Sequence, residues 1–225
     1  FTLLMSPEWS YEPGGGVYGI SISADGEYIV AGSNDDKVYL FDKDSSTPLW
    51  SYTADNSVFS ISISADGEYI VAGAGDIVYL FDKNSSTPLW SYDVDGSVYS
   101  VAISANGEYI ITGSKNSYAY LFHRDSSTPL WHRYEGGEDV DAVSISADGK
   151  YIAVGSDENR VYLFYKNDEG YLWKYNTGGD VNTVAISFLW SVLNPIHENI
   201  AANIVKEMMP DAFITIGSKL YPQIR

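Results

Sequence analysis

Between residues 58 and 64, large and small side chains alternate: Phe59, Ile61 and Ile63 against Ser60, Ser62 and Ser64. A period of two describes a strand with two unlike faces. The small face can receive a bulky Ile from a neighbouring sheet, so both faces can be buried. Ala65-Asp66-Gly67-Glu68 follows. Asp-Gly between two strand patterns signals a hairpin, because Gly takes the positive φ that the turn needs. Further strands are expected over 69–73, 78–81 and 89–92. The last comes after a turn at 84–88, rich in residues that bond their own backbone. One unit therefore predicts four antiparallel strands.

The unit is written four times. Trp50, Trp90, Trp131 and Trp173 close successive copies, and Trp9 closes a partial unit before them, at spacings of 41, 40, 41 and 42. The hairpin signal recurs at Asp25-Gly26, Asn106-Gly107 and Asp148-Gly149. A period near 40 with four short strands per unit predicts an all-β fold, a β-propeller of four-stranded antiparallel blades. Four full repeats and a partial fifth occupy 7–187, and 181–187 (VNTVAIS) repeats the innermost-strand pattern. Pairing that segment with Trp9-Ser10-Tyr11 would close a five-bladed ring. A piece of a larger ring, or two chains completing one ring, are equally open at this level. The chain begins with Phe1 rather than Met, which reads as a fragment or a processed product.

The first half of each unit, V-x-S-[IV]-[AS]-[IF]-S-x-[DN]-G-x-Y-[IL]-x-x-G-S, resembles WD-repeat propellers. The second half, as in VYLFDKDSSTPLWSY, looks more like the pyrroloquinoline-quinone-type repeat. The chain departs from WD repeats at two places. The Gly-His position reads Asp95-Gly96 or Gly178-Gly179, and the Trp-Asp position reads Phe41-Asp42, Phe81-Asp82, Phe122-His123 and Phe164-Tyr165. Without that hydrogen-bonded tetrad, blade rigidity must come from packing. The quinone-type resemblance implies no quinone cofactor here, because the Ca²⁺ ligands that site needs are not found.

Residues 188–225 abandon the repeat. Asn194 can cap a helix, Pro195 suits its first turn and Pro210 stops it. Ile196, Ile200, Ile204 and Met208 share one face, and a strand is expected near 212–217. This α-helical tail resembles a short stretch of the hydantoinase/oxoprolinase family, in which N-P-x-H-E, a helix, P-D-A-F-x-T and P-Q-I-R follow in that order. It reads either as foreign sequence or as an appendage covering a sheet edge.

Charge narrows the partners. Thirty acids against 13 bases give a formal net charge of −17. Such a surface repels phosphate backbones, so nucleic acid is not expected, and no apolar run is long enough for a membrane-spanning helix. The absence of cysteine excludes disulfides and thiolate chemistry; it leaves the compartment open.

The acids gather in two sets of loops expected on one face of the blades: the links between repeats, and those between second and third strands. Asp55, Asp95, Glu138, Asp139, Asp141 and Asp180 are the candidate binding residues, suited to a protein partner with a basic surface. Asp139 and Asp141 bracket Val140 and would share a strand face, the one carboxylate pair suited to acid/base work. His123, His132 and His197 have no second ligand at metal-binding spacing. No nucleophile elbow or phosphate loop occurs. No catalytic residue, metal site or cofactor is therefore expected. The reading is a non-catalytic propeller scaffold that binds protein or ligand through an acidic loop face, with possible self-association to complete the ring. The alternatives are a fragment of a propeller enzyme or hydantoinase-like fusion, and a structural component of a cell-surface assembly.

Overall fold

The computed structural model describes residues 7–134, 139–157, 159–168 and 170–177. Sixteen strands form four separate four-stranded antiparallel sheets, each built from four consecutive strands. The first holds β1 (Val17–Ile22), β2 (Tyr28–Ser33), β3 (Lys37–Asp42) and β4 (Trp50–Thr53). The second holds β5 (Val58–Ile63), β6 (Tyr69–Ala74), β7 (Ile77–Asp82) and β8 (Trp90–Asp93). The third holds β9 (Val98–Ile103), β10 (Tyr109–Ser114), β11 (Tyr118–His123) and β12 (Trp131–Tyr134). The fourth holds β13 (Val140–Ile145), β14 (Tyr151–Ser156), β15 (Arg160–Tyr165) and β16 (Tyr171–Asn176). Each sheet is one blade. The expected tail helix and the strand-like segment 181–187 lie outside the described residues.

The inner strands β1, β5, β9 and β13 pack against one another in chain order. The alternation read from the sequence explains how. Val58, Val98 and Val140 seat against Gly32, Gly73 and Gly113 of the preceding blade, where there is no room for a Cβ. Serines on the small face serve a second purpose. Val101 N–H donates to Ser60 Oγ (3.0 Å) and Val143 N–H to Ser100 Oγ (3.1 Å), tying neighbouring inner strands together. The cores between sheets are correspondingly apolar: Val58, Val98, Ile70, Leu80 and Phe81 are fully buried.

The outer rim is held by a lock that the missing tetrad made necessary. Trp50 Nε1 donates to Lys83 O of the next blade at 2.7 Å, Trp90 to Arg124 O at 2.6 Å, and Trp131 to Lys166 O at 2.9 Å. Each indole also lies on the next blade's Phe, with ring centroids 5.5, 5.4 and 5.9 Å apart for Phe81, Phe122 and Phe164. The residue that offers the carbonyl sends its own side chain back: Lys83, Arg124 and Lys166 sit over the rings of Tyr28, Tyr69 and Tyr109. On those same tyrosines press Gly67, Gly107 and Gly149, all at positive φ.

Trp9 repeats the lock before the first blade. Its Nε1 donates to Lys43 O at 2.5 Å and its ring stacks on Phe41 at 5.5 Å. Tyr11 meets Phe41 at 5.2 Å, as Tyr52 meets Phe81 at 5.1 Å. Residues 9–11 thus stand where a preceding blade's outer strand would, as their match to Trp50-Ser51-Tyr52 predicts.

Candidate functional site

The loops that follow the outer strands and those between second and third strands meet on one side of the blades. Ala54 N–H donates to Asp36 O at 2.7 Å and Val94 N–H to Asp76 O at 2.9 Å, so these two links are each fastened to an acidic hairpin. This is the loop face anticipated from the charge pattern. Of its candidate residues, Asp55 is exposed and accepts a 2.9 Å hydrogen bond from Tyr79 Oη of the next blade. Burial, reinforced by that carboxylate, pushes the Tyr79 hydroxyl far up from its ordinary value. Asp95 sits exposed at a loop tip with φ 56°, its N–H held by Asp93 Oδ1 at 2.8 Å. Glu138 and Asp180 lie outside the described residues.

Asp139 and Asp141 are both brought near Lys115, though not by regular alternation. β13 begins at Val140, and its register with β14 slips between Val140 and Ala142. Asp141 is therefore a bulge residue, re-aimed away from regular alternation. Asp139 Oδ2 lies 3.8 Å from Lys115 Nζ. Beyond the end of β14, Asp157 N–H donates to Asp139 O at 3.1 Å, which sets its carboxylate beside Asp141. Partial desolvation and the Asp157 carboxylate, with a smaller push from Asp139, raise the Asp141 carboxyl to about 7. The Asp141 side chain is itself exposed. Asp157 belongs to the second set of acidic loops in the sequence; only the β13–β14 pairing brings it to Asp141.

The same slip occurs in every blade, between Val17 and Gly19, Val58 and Ser60, Val98 and Ser100. The bulge residues are Tyr18, Phe59, Tyr99 and Asp141. Three aromatics and one acid thus occupy one equivalent position along the inner edge. Tyr18 and Phe59 stack with centroids 5.4 Å apart, and Phe59 meets Tyr99 edge-on at 6.4 Å. Lys115 Nζ lies 4.7 Å above the Tyr99 ring. Tyr18 and Phe59 are 54% and 37% exposed, a row of rings open to solvent. Among the described residues no three His, Asp or Glu side chains are grouped to hold a metal ion.

The family described as outer membrane protein assembly factor BamB, a quinone-type repeat family, matches residues 6–134, more than half of the chain. The chain belongs to this family. The WD domain, G-beta repeat, matches residues 129–164, so both halves of the mixed resemblance read from the repeat have a counterpart. A third similarity is of another kind. Caprolactamase subunit alpha of Pseudomonas jessenii is 51% identical over 45 residues, which is 20% of this chain and 6% of that subunit. No helix among the described residues is long and apolar enough to cross a membrane.

Proposed function

We propose that this chain is a non-catalytic propeller scaffold that binds a protein with a basic surface through its acidic loop face. The observation that carries the reading is the convergence of both acidic loop sets on one side of the blades, with Asp55, Asp95, Asp139 and Asp141 spread across three of them. Opposite charge steers encounter and is screened by salt. Decalysine serves as the probe, titrated at about 0.01 M and about 1 M salt, where the Debye length is roughly 30 and 3 Å. The affinity should fall at least tenfold, on the order of 1.4 kcal/mol. Binding indifferent to salt, or equal binding of decaglutamate, would count against it.

Self-association is a second reading with its own support. On β1, Val17, Ile20 and Ile22 are 49%, 71% and 59% exposed, whereas their counterparts Val58, Ile61 and Ile63 are buried against a neighbouring blade. A blade of a second copy would cover them. Sedimentation velocity over a concentration series tests this, and a monomer throughout rejects it. The family's description, an outer membrane protein assembly factor, favours the cell-surface alternative. The 45 residues shared with Caprolactamase subunit alpha favour a hydantoinase-like fusion. Intact-mass analysis of the natural protein separates a fusion from a free propeller.

A further inference from the structure

The inner edge carries more than charge. From β1 to β13 the bulge position presents Tyr18, Phe59, Tyr99 and then Asp141, and the loop after β14 adds Asp157 beside Asp141. We propose that this edge binds an extended peptide in which an Arg is followed, at two-residue steps, by aromatic side chains. The Arg lies against Asp141 and Asp157, and the aromatics lie along Tyr99, Phe59 and Tyr18. This rests on the protein-binding reading above and narrows it to one site and one peptide chemistry.

Spacing is the first argument. The rings stand 5.4 and 6.4 Å apart, close to the roughly 6.6 Å between same-side residues of an extended chain. Exposure is the second: Tyr18 and Phe59 keep 54% and 37% of their surface open, while the aromatics of the outer lock are spent between blades. Charge is the third. At the Asp141 end Asp139 and Asp141 lie near the Lys115 ammonium, and Asp157 adds a further carboxylate beside Asp141. Lys115 is engaged with Asp139 and the Tyr99 ring. The Asp141 and Asp157 carboxylates lie beside each other and repel when both are ionised. A guanidinium offers planar paired donors to such a carboxylate set and can stack on a ring, which an ammonium does less well. A neutral saccharide would also stack on exposed rings and could donate hydroxyls to the carboxylates, but it brings no positive charge to them.

The probe is acetyl-Arg-Ser-Phe-Ser-Phe-Ser-amide, titrated by calorimetry against the whole chain. Asp141→Tyr is the decisive variant, because two other blades already carry Tyr at this bulge and the fold accepts it. It should weaken the peptide by about tenfold to a hundredfold, the range for losing charge-assisted hydrogen bonds, while decalysine still binds with its salt dependence. Phe59→Ser should weaken the same probe, and replacing both Phe of the probe by Ser should do so again. Wild type should bind the probe better at pH 8 than at pH 6, since the Asp141 carboxyl must be ionised to pair with Arg; Asp141→Tyr should lose that difference. Equal affinity of wild type and Asp141→Tyr overturns the inference, as does tighter binding of cellohexaose than of the peptide. If decalysine binds in a salt-dependent way but the Arg probe and its Glu version bind alike, this inference alone fails. If decalysine fails as well, the broader reading fails with it.

Discussion

The outer and inner rims of the blades are built from the same repeat and treat it differently. On the outer rim the lock is copied without change of kind: Trp50, Trp90 and Trp131 reach Lys83, Arg124 and Lys166 with the same bond and the same tilted Phe contact. On the inner rim the fourth blade breaks the series, placing Asp141 where the others place Tyr18, Phe59 and Tyr99. A position that repeats with its contacts is explained by packing, because every blade must bury the same face on its neighbour. A position that repeats in backbone but changes in chemistry, at a solvent-open bulge, is where binding can be placed without cost to the stack.

The outer rim should be the more fragile. Phe122→Ala removes a fully buried ring that carries Trp90 on one side and Tyr92 on another. It should cost about 3–5 kcal/mol, read as a fall in the urea midpoint. Gly107→Ala comes next. Gly107 has φ +69°, and a Cβ there would press on the ring of Tyr69. A left-handed backbone costs a side chain roughly 1–2 kcal/mol, and overpacking about 1–3 more. Gly26→Ala is the control, because Gly26 has φ +77° with nothing within 4 Å. Only the backbone share should remain there. Equal losses at the two sites would remove the blade-to-blade contact from the account. Trp90→Phe keeps the stack and deletes the bond to Arg124 O, so about 0.5–1.5 kcal/mol should go.

Much of this was legible in the chain. The Trp spacing, the Asp-Gly turns and the alternation in 58–64 predict the blades, and strand ends such as Tyr69–Ala74 differ by one residue from the expected 69–73. Trp9 was legible as an outer strand because Trp-Ser-Tyr recurs at Trp50. The candidate site was legible only as a charge pattern. Alternation assigns Asp139 and Asp141 to one face, and that rule holds only while the ladder is regular. A bulge adds a residue that the period-two count does not see. Asp157 stands 16 positions after Asp141, and only the β13–β14 hairpin brings the two together. Aligning the four copies gives the one available signal: V-Y, V-F and V-Y at the start of three inner strands against V-D in the fourth.

The smallest effect is at Asp141, and its sign separates the two rims most sharply. Its carboxyl stands at about 7 in the folded chain against an ordinary 3.8. Between those values the folded state holds a proton that the unfolded state has released, so stability falls as pH rises from about 4 to about 7 and levels off above. The side chain is exposed, which screens the interaction and holds the change under about 1 kcal/mol. Asp141→Asn should remove this slope and leave the protein slightly more stable than wild type at pH 8, by denaturant titration at pH 4.5 and 8. An outer-rim variant such as Trp90→Phe should instead lower stability equally at both pH values, because nothing in that lock titrates in the range. If Asp141→Asn keeps the wild-type slope, the proton is held elsewhere, and the inner rim loses the feature that sets its fourth blade apart.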